Sequence, residues 1–228
     1  MPTPKPRKFS RNSMSYSNLV RVRDEIVDGV KSWLWVAEDS GAWDGPSREW
    51  MQTHRDAYLR YVKTRNVVVQ AGGNCGLYPR LFSEYFQTVY TFEPDPLNFH
   101  CLVNNCQRDN VIKINAALGD GSGLVRVKRA GMGNVGMHTV TQEGGNFPKI
   151  TPHFSIDSLC LEACDLIQLD VEGYEPKVID GAMRTIEQFH PVISCENGGS
   201  VSEKLLHLGY EAKETVGADT IYVFSDKT

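Results

Sequence analysis

The ten residues from Val67 to Gly76 read VVVQAGGNCG, and this stretch decides the fold. Its β-branched start predicts a buried strand, and its glycines predict a turn in which no side chain covers the backbone. The residues that follow, LYPRLFSEYF, have the apolar spacing of a helix. A strand, a glycine turn and a helix in this order are typical of α/β folds that bind a nucleoside.

A second predicted strand, TVYTFEP, follows that helix and carries Glu93 near its end. Nucleoside-binding α/β folds use an acid at this place to bind the ribose hydroxyls. The glycine turn departs from the dinucleotide pattern G-x-G-x-x-G, because Asn74 stands where that pattern has glycine. We therefore expect a cofactor crevice between the turn and Glu93 that suits a pyrophosphate poorly.

Composition excludes several classes of partner. The chain has 228 residues, 41% of them hydrophobic, which is enough for one sizeable core. Its 24 basic and 28 acidic residues create no field that would attract nucleic acid or an anionic membrane. No apolar run approaches the roughly 20 residues needed to cross a bilayer, and no apolar stretch follows the basic start as a secretion signal requires. We expect a cytoplasmic protein.

The cysteine pattern argues against a metal site or a disulfide framework. There are six cysteines without a C-x-x-C pair, and most lie in apolar segments. Buried free thiols are the expected state.

The chain divides into three parts. Residues 1–17 are basic, polar and rich in proline, and are expected to form a flexible tail. Residues 18–65 are expected to form a helical extension, with one amphipathic helix from about Asn18 to Glu38 and a second helix capped by Ser47. This extension either packs on the core or serves as a substrate lid or a face for a homo-oligomer. Residues 66–228 form the main domain.

From Asn66 onward, short β-branched runs alternate with helical segments, which predicts an α/β fold with a mostly parallel sheet and helices on both faces. The predicted strands are Val67–Ala71, Val89–Phe92, VIKINAAL from Val111, Leu124–Val127, Cys164–Gly173, PVISCENGG from Pro191 and Thr220–Ser225. The predicted helices are Leu77–Phe86, Pro96–Cys106 with Asp95 as cap, the single run from Tyr174 to Phe189, and a short one in VSEKLLHLGY. The glycine-rich residues 131–147 are predicted to be a loop or a loose hairpin, with or without substrate contact.

Ligands of open α/β sheets bind beyond the carboxyl ends of the strands, where connections diverge to opposite faces. Strand ends therefore hold the candidate site residues: Gln70 to Gly76, Glu93, Asn115 to Ala117, Asp170, Glu172 and Glu196. Four carboxylates are thus expected around one rim.

Several of these segments together resemble the FkbM-type methyltransferases. The likeness rests on VVVQAGGNCG, TFEPDPLNF, INAALGD, SIDSL, LIQLDVEGYEPKVIDGA and HPVISCENG, in this order, and covers Asn66 to Thr228. It implies a Rossmann-like class I methyltransferase fold that binds S-adenosylmethionine and methylates a hydroxyl oxygen of a sugar or another small molecule.

The resemblance also implies residue roles. The turn, with Gly72, Gly73, Asn74 and Gly76, would contact the methionine portion of the donor, and Asp170 would also lie against the donor. Glu93, followed by Pro94, would accept hydrogen bonds from both ribose hydroxyls, and Asn115 and Ala116 would border the adenine. Gln70 is a departure, because the family motif usually has an acid there; the lost charge would weaken affinity for the cationic donor unless the rim acids compensate.

A hydroxyl acceptor must also lose a proton. Candidates for the base are Asp170, Glu172 and Glu196 at the rim and His138 or His153 in flanking segments, and we favour His138 or Glu172. The three rim acids could instead gather a divalent cation. The simpler interpretation is that Asp170 and Glu172 cap the following helix or hold backbone amides, so no metal is expected.

Two other functions stay open at this point. A nicotinamide or flavin oxidoreductase would share the ribose acid but would need a better pyrophosphate loop. A binding module without catalysis would explain Gln70 as the mark of a degenerate site. Nucleic-acid methylation is not expected, because the chain lacks an Asn-Pro-Pro-Tyr motif and a Pro-Cys nucleophile.

Overall fold

The computed structural model describes residues 19–23, 33–39, 48–128, 139–141 and 149–225. In chain order the strands are β1 (Val20–Arg23), β2 (Trp33–Val36), β3 (Val67–Ala71), β4 (Thr88–Phe92), β5 (Val111–Ile114), β6 (Ala117–Leu118), β7 (Gly123–Lys128), β8 (Thr139–Thr141), β9 (Lys149–Phe154), β10 (Leu166–Leu169), β11 (Val192–Glu196), β12 (Tyr210–Val216) and β13 (Asp219–Phe224). The helices are α1 (Arg48–Tyr61), α2 (Leu77–Phe82), α3 (Pro96–Asn105), α4 (Glu175–Asp180), α5 (Met183–Phe189) and α6 (Gly199–His207), with a 3-10 helix at Ile156–Leu159.

The main sheet has seven strands in the order β12-β13-β11-β10-β3-β4-β5. Strands β5, β4, β3, β10 and β11 are parallel, whereas β13 runs antiparallel to both β11 and β12. The chain enters at β3, adds β4 and β5 on one side, and then crosses to β10 on the other side. The carboxyl ends of β3 and β10 therefore flank the point where the connections diverge.

Burial of β3 on both faces explains its uninterrupted apolar start. Val68 packs in a cluster with Tyr58 of α1 and Phe82 of α2, and Val69 packs on the opposite face with Ile179 of α4. Central parallel strands have this character because helices cover both faces of the sheet. The predicted α/β fold with a mostly parallel sheet and helices on both faces is confirmed.

Local helix signals were also informative. The helix predicted after Ser47 is α1, and the predicted cap of α3 is confirmed, since Asp95 Oδ1 accepts hydrogen bonds from the backbone N–H groups of Leu97 (2.8 Å) and Asn98 (3.3 Å). The single helix predicted from Tyr174 to Phe189 is wrong, because α4 ends before Gly181 and α5 begins at Met183.

The break between α4 and α5 has a packing cause. A Cβ atom on Gly181 would lie 1.8 Å from the carbonyl oxygen of Gly119, so the chain passes directly against the segment after β6. The α4–α5 junction and that segment therefore pack directly against each other.

A second sheet, with the order β6-β9-β7-β8, is inserted between β5 and β10. The strand predicted at Leu124–Val127 is the centre of β7, and β8 pairs with it antiparallel, which agrees with a hairpin in the glycine-rich segment. Most of residues 131–147 lie outside the described ranges. Strands β9 and β12 were not predicted.

The amphipathic helix predicted from Asn18 to Glu38 is wrong. The described residues form β1 and β2, which pair antiparallel from Val20 opposite Val36 to Arg23 opposite Trp33. Trp33 and Trp35 are 2% and 3% exposed and pack with residues of the glycine turn and of α3. Aromatic and β-branched residues favour a pleated surface that is buried in this way.

Two further expectations concern cysteines and membranes. All six cysteines are free thiols as predicted, and each is buried except Cys160. None of the helices in the described ranges combines the length and the apolar character that a membrane span requires.

Asn105 ties β2 to the glycine turn. Its Oδ1 accepts from the Leu34 N–H (2.8 Å), and its Nδ2 donates to the carbonyl oxygens of Leu34 (2.8 Å) and Cys75 (2.7 Å). Asn105→Ala should lower the free energy of unfolding by about 1–3 kcal/mol, because buried backbone groups lose their partners. Urea denaturation measures this loss.

The neighbouring Asn104→Ala is the matched control. The exposed Asn104 amide bonds only within its own helix, to the His100 carbonyl at 2.8 Å. Its removal should cost less than about 0.5 kcal/mol. Equal losses for the two variants would contradict the role of Asn105.

Candidate functional site

A cavity of about 330 Å³ lies at the carboxyl ends of the parallel strands. Loops after β3, β4, β10, β11 and the turn before β13 contribute to it, together with β2, α1 and α2. Its lining residues are Trp35, Asp39, Trp50, His54, Ala71, Gly72, Gly73, Asn74, Leu77, Tyr78, Phe92, Glu93, Pro94, Asn98, Ala116, Ala117, Leu118, Asp170, Val171, Glu172, Glu196, Gly217, Ala218 and Asp219.

The glycine turn is shaped by close packing across the switch point. Gly72 has a φ of +85°, and a Cβ atom on it would lie 1.8 Å from the carbonyl oxygen of Asp170. A Cβ on Gly73 would lie 2.4 Å from Leu102 Cδ1 and 2.7 Å from Thr91 Oγ1. Only glycine fits at both positions without displacing its neighbours.

Glu93 organises the other side of the turn. It is 4% exposed, and its two oxygens accept hydrogen bonds from the backbone N–H groups of Asn74 and Asp95, both at 2.7 Å. The carboxylate therefore holds the turn to the start of α3. A carboxylate has about four acceptor positions, so these two bonds do not by themselves prevent it from binding ribose hydroxyls.

Three rim acids lie close together. Oxygen atoms of Asp170, Glu172 and Glu196 lie within 4.8 Å of one another, so these residues could hold a cation. Burial, and then the neighbouring Glu196, raise the pKa of Asp170 well above its usual value. Burial, followed by the charge of Glu196, raises the pKa of Glu172 to about 6. Burial also raises the pKa of Glu196.

The expectation that Asp170 and Glu172 cap the next helix is wrong. No side chain caps the start of α4; instead Glu175 Oε1 accepts from the backbone N–H groups of Val171 (3.2 Å) and Gly173 (3.3 Å). Glu172 has a φ of +53°, a conformation that non-glycine residues rarely adopt. The loop therefore presents both rim acids to the cavity while Glu175 stabilises its backbone.

Asp219 is a fourth acid on this side, and sequence reasoning missed it. Its Oδ2 accepts hydrogen bonds from the hydroxyls of Tyr58 (2.7 Å) and Tyr78 (3.1 Å). Burial raises the pKa of Asp219, and the two tyrosine bonds oppose that rise. These groups come from α1, α2 and β13, so no local motif could reveal the cluster.

The N-terminal segments supply a further wall that the sequence did not indicate. Asp39 Oδ2 accepts from the Trp35 indole N–H at 2.6 Å. His54 stacks on Trp50 with ring centroids 3.8 Å apart, and its Nδ1 lies 2.9 Å from the Trp50 carbonyl oxygen. Because that carbonyl can only accept, Nδ1 carries a proton in this hydrogen bond.

Most of the predicted site residues come together in this cavity. Those that line it are Gly72, Gly73, Asn74, Glu93, Pro94, Ala116, Asp170, Glu172 and Glu196. Gln70, Gly76 and Asn115 are not among the lining residues. Gly76 faces Leu102 of α3, and Asn115 Nδ2 donates to the Glu93 carbonyl oxygen at 2.8 Å, so both support the site from behind.

One of the two candidate histidines, His153, is not among the residues that line the cavity. His138 lies outside the described residues. His153 is buried in β9 beside Tyr174, and its ring lies 6.5 Å from the tyrosine ring. Its pKa is lowered, mainly because burial disfavours the charged form.

The lining is strongly acidic. It includes Asp39, Glu93, Asp170, Glu172, Glu196 and Asp219, and the described part of the chain contributes neither lysine nor arginine to it. Such a cavity favours a cationic ligand and disfavours an anionic one.

The rim acids predict a pH dependence of stability. Unfolded Asp170 ionises near pH 4, whereas its folded pKa is raised. The folded state therefore loses stability as pH rises from about 4 through the raised pKa. Asp170→Asn removes the titration and should melt at a higher temperature than the wild type above that window.

Thermal melts between about pH 4 and 8 test this expectation. The exposed Asp109→Asn is the control and should follow the wild-type curve. If the difference in melting temperature between Asp170→Asn and the wild type stays constant across this range, ionisation of Asp170 does not cause the pH dependence.

Comparisons with known proteins agree with this architecture. The family described as "Methyltransferase FkbM domain" matches residues 70–212. The hexuronic acid methyltransferase AglP of Haloferax volcanii is 27% identical over 158 residues, which cover 68% of this chain and 66% of that protein. The chain thus spans just under two thirds of that curated relative.

A solved structure is also similar to this chain. The methyltransferase FkbM from Methylobacillus flagellatus KT aligns with a TM-score of 0.53 and 18% identity, covering 75% of this chain and 48% of that one. At this identity the likeness shows the shared fold, and the predicted class I methyltransferase fold is confirmed. Since the family match spans more than half of the sequence, the chain belongs to the FkbM methyltransferase family.

Proposed function

We propose that this protein transfers a methyl group from S-adenosylmethionine to a hydroxyl oxygen of a sugar or another small polyol. The observation that supports this most directly is that Glu93, the glycine turn and the rim acids line one cavity. Ribose, methionine and acceptor groups would therefore be bound side by side. The proposal also draws on the family to which the chain belongs.

The donor would lie along two sets of lining residues, one for its adenosine and one for its methionine portion. Its ribose hydroxyls would donate to Glu93, and its adenine would lie between Pro94 and Ala116. Its methionine portion would cross Gly72 and Gly73, which both line the cavity. The donor's sulfonium is a cation, and the acidic lining stabilises it, more strongly than in water because the site is partly buried.

The charge of the lining also suggests the kind of acceptor. AglP is by name a hexuronic acid methyltransferase, and a uronic acid carries a carboxylate. In this chain the described lining offers six acids and neither a lysine nor an arginine to pair with that carboxylate. We therefore propose a neutral acceptor, whose hydroxyls can donate hydrogen bonds to the rim acids.

The chemistry needs positioning and a proton acceptor. Held by Glu93 and the glycine turn, S-adenosylmethionine would supply its methyl group to the acceptor oxygen, and the electron pair of the broken carbon–sulfur bond would stay on sulfur in a neutral thioether. In-line positioning can contribute roughly 7–11 kcal/mol to the lowering of the barrier. The proton of the hydroxyl passes to a base, which we propose is Glu172, since it lines the cavity and has a pKa of about 6.

Glu93→Gln tests the donor site. The amide keeps the shape but removes the charge that strengthens bonds from the ribose hydroxyls. Calorimetry with S-adenosylhomocysteine should show an affinity about 10- to 100-fold below that of the wild type. Glu84→Gln, which changes an exposed acid paired with Arg108, is the control and should bind normally.

Wild-type titrations decide between the open alternatives. Binding of NAD in preference to S-adenosylmethionine would support an oxidoreductase and overturn the proposal. Binding of the donor without labelled methyl transfer to any neutral or acidic sugar offered would support the non-catalytic binding module. Transfer to uronic acids in preference to neutral sugars would contradict the proposed acceptor charge.

Glu172→Gln tests the base. A base must be ionised, so wild-type kcat should rise as pH increases through about 6 and then level off. The variant should lose this rise and about 10²- to 10⁴-fold in kcat, because no carboxylate accepts the proton. Initial rates of labelled methyl transfer across pH measure both effects.

His54→Gln is the comparison variant, because His54 is the histidine that lines the described cavity. If Glu172 is the base, the kcat of His54→Gln should still rise as pH increases through about 6. If His54→Gln loses this rise and Glu172→Gln keeps it, the proton is transferred to His54 instead.

A further inference from the structure

Gln70 stands where the glycine-turn motif of the family usually has an acid. The proposed donor site therefore lacks that acid. Gln70 is fully buried, its Oε1 accepts from the Thr91 hydroxyl at 2.5 Å, and its Nε2 donates to the Ala71 carbonyl at 3.2 Å. It does not line the cavity. If S-adenosylmethionine binds as proposed above, its α-ammonium group needs a different carboxylate.

Asp39 is a buried carboxylate with a fixed orientation. It is 4% exposed, and the Trp35 indole holds Oδ2 at 2.6 Å. Its backbone carbonyl accepts from Arg21 Nη2 at 2.8 Å, so the guanidinium is bound to the main chain. Within the described ranges the Asp39 carboxylate forms no ion pair, although it borders the cavity.

The position of Asp39 follows from the packing of β2. Trp35 belongs to the same buried cluster as Cys75 and Leu77, which directly follow the glycine turn. Asn105 bonds to both Leu34 and Cys75 and so holds β2 against that turn. The segment after β2 therefore closes the cavity beside the turn over which the methionine portion of the donor would lie.

The other lining acids are less suited to an ammonium group. Glu93 holds the turn backbone at the ribose position. Asp170, Glu172 and Glu196 form one close cluster beyond β10 and β11, and Asp219 accepts from two tyrosine hydroxyls. Asp39 also lines the cavity, and within the described ranges its carboxylate accepts from a single group, the Trp35 indole.

We propose that Asp39, oriented by Trp35, binds the α-ammonium group of the donor's methionine portion in place of the acid that Gln70 replaces. The inference rests on the proposed function and adds a binding residue from outside the segment that matches the family. A charged hydrogen bond of this kind is about twice as strong as a neutral one.

The test compares two ligands that differ at the methionine end. S-adenosylhomocysteine carries the amino-acid portion, whereas 5′-methylthioadenosine has the same adenosine and a thioether but no ammonium group. Asp39→Asn keeps the acceptor for the Trp35 indole and removes the charge. We expect its affinity for S-adenosylhomocysteine to fall about 10- to 100-fold in calorimetry, with affinity for 5′-methylthioadenosine changed less than twofold.

Glu38→Gln is the matched control, because it removes a charge from the exposed neighbouring residue. It should leave the affinities for both ligands unchanged. Equal weakening of both ligands by Asp39→Asn would mean that Asp39 only supports the local fold, and no change in either would also overturn the inference. If the wild type binds both ligands equally well, the donor site is supported, but binding of the ammonium group by Asp39 is contradicted. If the wild type binds neither ligand, the proposed function itself is contradicted.

Discussion

The close contact between Gly72 and the Asp170 carbonyl is the constraint on which the site depends. With no side chain at Gly72, the ends of β3 and β10 meet at the switch point of the sheet, where a Cβ atom would lie 1.8 Å from the carbonyl oxygen. Gly72 and Asp170 line the same cavity as Glu93, Glu172 and Glu196. Under the proposed function, backbone packing at this contact would set the distance between donor and acceptor.

The rim acids make the folded chain less stable at neutral pH. Burial raises the pKa values of all three carboxylates, and the charge of Glu196 raises those of Asp170 and Glu172 further, which costs folding free energy at neutral pH. Perturbed acids in a cavity are typical of functional sites. A bound sulfonium would lower this cost, because it places a positive charge beside the acids without adding a titratable group. Donor binding and relief of charge repulsion would then be the same event.

Sequence reasoning succeeded where the determinant was local. The strand and turn of VVVQAGGNCG, the cap at Asp95 and the strand-end acids can each be read from a few adjacent residues. It failed from Asn18 to Glu38, where Leu19, Val22 and Leu34 have helical spacing by coincidence. The pairing of Val20 with Val36 and the burial of Trp33 against α3 decide that structure, and both depend on distant residues.

Site residues missed by sequence reasoning have the same origin. Asp219 is recognisable as a site acid only once β13 inserts beside β11 and brings it to the hydroxyls of Tyr58 and Tyr78. The break at Gly181 likewise follows from the approach of Gly119, while the apolar spacing continues across it. Tertiary contacts of this kind leave no periodic or motif signal in the sequence.

The lining residues form two groups, one inside and one outside the segment that matches the family. The segment that matches the family, 70–212, contains Glu93, the glycine turn and the rim acids, to which we assign binding of the proposed donor. The lining residues outside it are Trp35, Asp39, Trp50, His54, Gly217, Ala218 and Asp219. These come from β2, α1 and the β12–β13 turn, and they cover the same rim. Under the proposed function the donor is common to the chemistry and the acceptor is not, so we expect these peripheral elements to select the acceptor, with Asp39 as the point where they would also contact the donor.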